Sequence, residues 1–158
     1  MIKFKYAFYI LFSFILSFIN VQKAFAKNTI QNSNTTTLNC SEYFYDTGGV
    51  DGNYSDNESY TTTFCPDNVG DIVIASFGFF EIENNYDTLK IYDGGDNTYP
   101  LIGEFTGTAS PDIIVATIEN GGCLTFEFLS DFSINFGGWE AFITCETPSS
   151  CIAPSEFI

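Results

Sequence analysis

Between Cys40 and Cys145 apolar residues fall on every second position in short runs, and no stretch sustains a helical period. Val73, Ala75, Phe77 and Phe79 share one side of the first run, and Leu89 and Ile91 share one side of the next. Ile113, Val115 and Thr117 follow, then Leu124, Phe126 and Phe128, then Trp139, Ala141 and Ile143. A strand sends successive side chains to opposite faces, so this spacing, carried by β-branched and aromatic residues, predicts half-buried strands. Segments rich in Gly, Asn and Asp separate the runs at 93–97, 106–111, 120–122 and 137–138. Several short strands so spaced predict an all-β, antiparallel sandwich or barrel.

The N-terminus carries a different signal. Lys3 and Lys5 precede an apolar run over 6–21, and Ala24-Phe25-Ala26 places small residues where a signal peptidase reads. This layout predicts a secretory signal peptide over 1–26. The apolar run approaches the lower limit for a membrane span, but the Ala-x-Ala site favours removal, leaving no span in the mature chain. A secreted or cell-surface location follows. Residues 27–39, mostly Asn, Thr and Ser, read as a flexible leader, and 40–145 as the domain. Residues 146–158, with Pro148, Pro154 and several serines, read as a linker-like tail from which a neighbouring domain has been lost.

Without 1–26, Lys27 and Lys90 stand against 20 acidic residues, a formal charge of −18, and the chain has no Arg. So acidic a surface repels nucleic acid and anionic membranes. Cations, basic proteins and neutral glycans remain as partners. Five cysteines in an exported chain predict two disulfides and one thiol left over. A hairpin of 123–129 against 139–145 would bring Cys123 opposite Cys145, and the strand order suggests Cys40–Cys65, with Cys151 unpaired.

The chain has no His, which removes Ser-His and Cys-His nucleophiles and His-ligated zinc together. Asp46-Thr47-Gly48 resembles the core of aspartic peptidases, in which two chains would share a proton between carboxylates, but the same residues form a natural turn. Residues 93–104 faintly echo an EF-hand loop, yet Gly95 and Thr98 occupy the positions of a ligand and of the turn glycine. Glu83, Asp87 and Asp131 are the acids of greater interest. Loops at one end of a sandwich meet, and three like charges brought together favour a cation. Calcium, Ca2+, accepts irregular loops of oxygen donors, here three carboxylates with a carbonyl near Phe132 or Ser133. On residue pattern alone the plainer reading is that each is a solvated loop acid, since acids are common at strand ends.

Tyr86-Asp87-Thr88-Leu89 together with Ser130-Asp131-Phe132-Ser133 and Gly138-Trp139-Glu140-Ala141 resembles the signature of CUB domains. Phe77-Gly78-Phe79-Phe80-Glu81-Ile82-Glu83 resembles the strand ending in that family's calcium-binding Glu, and Gly52-Asn53-Tyr54 its Pro-Asn-Tyr turn. The resemblance covers Cys40 to Cys145, and the form suggested is the secreted, single-domain one of bacteria. It implies a jelly-roll sandwich, a non-catalytic, calcium-dependent module for protein or glycan recognition and cell adhesion, and a site of Glu83, Asp87, Asp131, Phe132 and Ser133. It further implies a supporting tyrosine, Tyr54 or Tyr60, a Cys40–Cys65 pair, and a grip on a Lys or Arg of a basic protein. The chain departs from the family at Asn84 and Thr106, which stand where its second cysteine pair would be. The loop after Glu83 is also short, which keeps Glu81 open as a rival ligand. A glycan-binding sandwich without calcium, using Tyr92, Tyr99 and Trp139 as platforms, is the alternative binding mode.

Overall fold

The computed structural model describes residues 28–29, 35–37 and 40–148. The signal peptide expected over 1–26, most of the tail, and Cys151 lie outside the described residues. Among the described residues ten strands form two five-stranded sheets. The first sheet runs β1 (Asn28–Thr29), β3 (Glu42–Tyr45), β10 (Gly138–Glu146), β5 (Ile72–Glu81), β8 (Ile113–Val115). The second runs β2 (Thr35–Thr37), β4 (Ser59–Phe64), β9 (Leu124–Leu129), β6 (Thr88–Asp93), β7 (Leu101–Phe105). Pairing is antiparallel except where β1 joins β3 and β2 joins β4. Both of those short strands fall within the leader expected to be flexible. Among the described residues no helix is long and apolar enough to cross a membrane.

The sheets stack face to face around aromatic rings. Phe44 of the first meets Phe64 and Phe126 of the second, each at 5.0 Å between ring centres, and Trp139 meets Phe128 at 5.0 Å. Tilted and edge-on contacts at this distance suit the charge distribution of aromatic rings. Leu89, Ile91, Leu124, Ala141 and Ile143 fill in between, as the alternation predicts. Burial of each large side chain contributes roughly 1.5–3 kcal/mol.

Two runs depart from the expected parity. In β5, Val73 and Ala75 face inward but Phe79 is 46% exposed, while Phe80 and Ile82 are buried. The register with β10 pairs Phe79 with Glu140 and Phe77 with Ala141, so Gly78 is left over as a bulge. One extra residue reverses which side of the strand faces the core. In and just after β8, Ile114 and Ala116 are buried while Ile113 and Val115 are exposed. All four are apolar, so only the pairing with β5, Ala75 opposite Ile114, decides their facing.

The expected hairpin of β9 with β10 does not form. β9 already lies between β4 and β6, and residues 130–137 carry the chain across to the facing sheet. Consecutive strands usually neighbour each other, but a strand flanked on both sides offers no edge. The disulfide pairing changes with it: the bridges are Cys40–Cys145 and Cys65–Cys123, not Cys40–Cys65 and Cys123–Cys145. Each continues a ladder by one position or two. Phe64 faces Leu124, so Cys65 faces Cys123; Glu42 faces Ile143, so Cys40 faces Cys145. The Cα separations are 4.3 Å and 5.4 Å, within bridging range. Both bridges lie where β4 and β10 end, at the opposite pole from the ends of β5 and β9.

Candidate metal centre

At that other pole the chain leaves β5, turns over Asn84 and Asn85, and enters β6 at Thr88. Asn85 takes a left-handed conformation (φ 68°), and the amide of Asp87 donates to the carbonyl of Glu83 at 3.2 Å. Glu83 and Asp87 therefore sit on one short turn. β9 pairs with β6 through Leu129 opposite Thr88, which delivers Asp131 to the same place. One carboxylate oxygen from each of Glu83, Asp87 and Asp131 lies within 4.8 Å of the others.

Asp87 is the fixed member. It is 1% exposed, its Oδ1 accepts the amide of Asp131 at 2.9 Å, and its Oδ2 accepts the Tyr54 phenol at 2.5 Å. The Tyr54 oxygen in turn accepts the amide of Glu83 at 2.9 Å, and its ring stands edge-on to Phe128 at 5.0 Å. Burial, then the bond to Asp87, pushes the Tyr54 phenol above its usual range, so it stays a donor. Asp131 Oδ1 accepts the amide of Ser133 at 2.9 Å. Glu83 is the uncompensated member. Its Oε2 is buried with no hydrogen-bond partner, and burial, then the charges of Asp131, Asp87 and Asp56, raises its pKa.

Among the described residues no protein cation answers these charges. Lys90 is the only basic side chain among the described residues, and it pairs with Glu104 at 3.3 Å on the β6–β7 edge. Converging carboxylates of this kind repel one another unless they bind a proton or a cation. Their hard oxygen donors, irregular loop setting and one unsatisfied buried oxygen fit calcium better than a softer metal.

The structure chooses between several sequence alternatives. Glu83 joins the cluster, whereas Glu81 ends β5 opposite Gly138. Tyr54 supports the acids; Tyr60 lies in β4 opposite Phe128 and packs against the core. Phe132 follows Asp131 and is 76% exposed. Trp139, 1% exposed and packed between Phe44 and Phe128, cannot be a glycan platform. Tyr92 is tied to Glu127 at 2.9 Å, on the strand that ends at the disulfide pole. Asp46 is fully buried and engaged in structure. Its oxygens accept the amides of Gly48 (2.8 Å) and Trp139 (3.1 Å), tying the end of β3 to the start of β10. A Cβ on Gly138, at φ 67°, would stand 2.1 Å from Asp46 Oδ2, so this contact requires glycine. That removes the carboxylate the peptidase alternative needs.

Sequence reasoning missed the lacing between loops 46–58 and 130–137. Asn57 donates its amide to the Asp131 carbonyl (2.5 Å), and Asn135 donates to Asp56 (2.7 Å). Asn53 donates to the Asn135 carbonyl (2.8 Å), and Ser130 donates to the Ser55 carbonyl (2.8 Å). The density of Asn, Asp and Ser in both loops was the available signal, since these side chains readily bond to backbone.

Comparison with known proteins places this fold. The family model described as "CUB domain" matches residues 41–142. Mouse Tolloid-like protein 2 is 41% identical over 76 residues, 46% of this chain and 7% of its own length. The human tumor necrosis factor-inducible gene 6 protein is 33% identical over 75 residues, 45% of this chain and 26% of its own. The chain thus spans a small part of these relatives. Among solved structures, the MASP-1 CUB2 domain bound to Ca2+ superimposes with a TM-score of 0.56 at 22% identity, covering 71% of this chain and 98% of that one. The extracellular region of zebrafish Gpr126/Adgrg6 gives 0.61 at 21% identity, covering 73% and 15%. At these identities the structural likeness shows the fold.

Proposed function

The chain belongs to the CUB domain family, a family of non-catalytic recognition modules of extracellular proteins, and from that premise we propose that it is an exported, calcium-dependent module for binding a basic protein. The single observation that carries the calcium reading is the meeting of Glu83, Asp87 and Asp131, with one buried Glu83 oxygen lacking any partner. When bound, calcium would supply the positive charge that lets these carboxylates stand together. Glu83, Asp87 and Asp131 would hold it, and Tyr54 and Ser133 would orient two of them. The structural neighbour MASP-1 CUB2, a domain bound to Ca2+, supports the same assignment.

The chain's own residues set up the recognition surface. The laced loops 46–58 and 130–137 and the Glu83–Asp87 turn form one acidic rim. Such a rim favours a partner that presents Lys or Arg. The export route and the absence of catalysis are part of this proposal. The relatives named above are animal proteins and lend no support to a bacterial origin. Purified domain passed over immobilised Lys-rich and neutral peptides, with calcium and then with chelator, tests the proposal. Retention on the basic peptide that chelator abolishes supports it. Equal retention with and without calcium, or equal retention on the neutral peptide, counts against it.

A further inference from the structure

The turn that carries Glu83 and Asp87 has little packing to hold it. Between buried Ile82 and buried Asp87, the side chains of Asn84, Asn85 and Tyr86 are all exposed. Its geometry must therefore come from backbone hydrogen bonds, and two of these converge on one outside side chain. The hydroxyl of Thr106 donates to the carbonyl of Glu83 at 3.0 Å and accepts the amide of Asn85 at 2.8 Å. Beside it, the amide of Ile82 donates to the carbonyl of Gly107 at 3.0 Å. Thr106 reaches this place because β7 pairs with β6 through Phe105 opposite Leu89, so the next residue out arrives at the mouth of the turn.

Glu83 is consequently gripped on both sides of its Cα. Its amide is held by the Tyr54 phenol and its carbonyl by the Thr106 hydroxyl. We infer that Thr106 is a positioning residue of the acidic centre, fixing the Glu83 carboxylate for calcium through one hydroxyl that both gives and takes a hydrogen bond. The inference rests on the calcium reading of Glu83, Asp87 and Asp131 and adds a residue that touches none of those carboxylates. A methyl group of the same shape would leave the Glu83 carbonyl and the Asn85 amide to bond elsewhere, and the turn would lose its reference point.

The test uses calcium alone as the probe, titrated into chelator-stripped protein. Thr106→Val is expected to weaken calcium about tenfold, the scale of one lost hydrogen bond, while Thr106→Ser stays within about twofold of the native chain. Gly107→Ala gives an independent handle. At φ 64° a Cβ there is strained whatever the space around it. Since the exposed Asn84 side chain at 3.0 Å can give way, the strain falls on the Gly107 backbone that holds Ile82, which is expected to weaken calcium in the same direction. The rise in melting temperature on adding calcium should shrink in Thr106→Val. A purely structural role would lower both melting temperatures equally and leave calcium affinity unmoved, which would overturn the inference. If the native chain itself takes up no calcium, the reading of the site fails; if it binds and Thr106→Val binds equally well, only this inference fails.

Discussion

Tyr54 and Asp87 are 33 positions apart in sequence, yet the phenol donates to the carboxylate at 2.5 Å with both residues almost wholly buried. The same oxygen accepts the amide of Glu83, so one tyrosine links two of the three acids before any ion arrives. Removing the hydroxyl leaves a buried carboxylate oxygen and a backbone amide short of a partner. Tyr54→Phe should therefore cost roughly 1.5–3 kcal/mol of stability, the range for bonds to charged groups, and also weaken calcium. Denaturant unfolding in chelator checks the first effect and calcium titration the second.

The bridges Cys40–Cys145 and Cys65–Cys123 sit at the pole away from the acids. Replacing Cys65 and Cys123 together by Ser should lower stability by about 2–4 kcal/mol while leaving calcium affinity within about twofold. Peptide mapping under non-reducing conditions checks the connectivity, and a Cys123–Cys145 peptide would contradict the sheet order.

Asp46 should give the fold a distinctive pH dependence. Burial raises its pKa from 3.8 to about 6, against the lowering effect of the Trp139 and Gly48 amides. A carboxyl whose folded pKa is raised binds its proton more tightly in the native state. The stability this contributes is fully present below about pH 4 and is lost as pH rises through about 6, by at most about 3 kcal/mol. Unfolding measured in chelator across that window, for the native chain and Asp46→Asn, should diverge. Parallel profiles would show that Asp46 does not titrate there.

Much of this was legible in the sequence. Period-two spacing found the five runs that became β5, β6, β8, β9 and β10, and the pairing of Tyr86-Asp87 with Ser130-Asp131 pointed to two of the acids that the fold brings together. Three things were not legible, each because a contact distant in sequence decides it. The Gly78 bulge depends on how β10 pairs with β5, although a glycine inside a strand pattern is itself a bulge signal. The crossing of residues 130–137 to the facing sheet depends on β9 being enclosed by β4 and β6, and the disulfide pairing follows from it. The choice of Tyr54 over Tyr60 depends on a loop folding back over the end of the sandwich.

Calcium binding at Glu83, Asp87 and Asp131 is the central claim, and calorimetric titration of chelator-stripped protein with calcium tests it most directly. The native chain should show one main site, and Asp131→Ala and Asp87→Asn should each weaken it on the order of a hundredfold, since calcium affinity follows the number of charged ligands. Absence of saturable binding in the native chain, or unchanged affinity in both variants, would contradict the account.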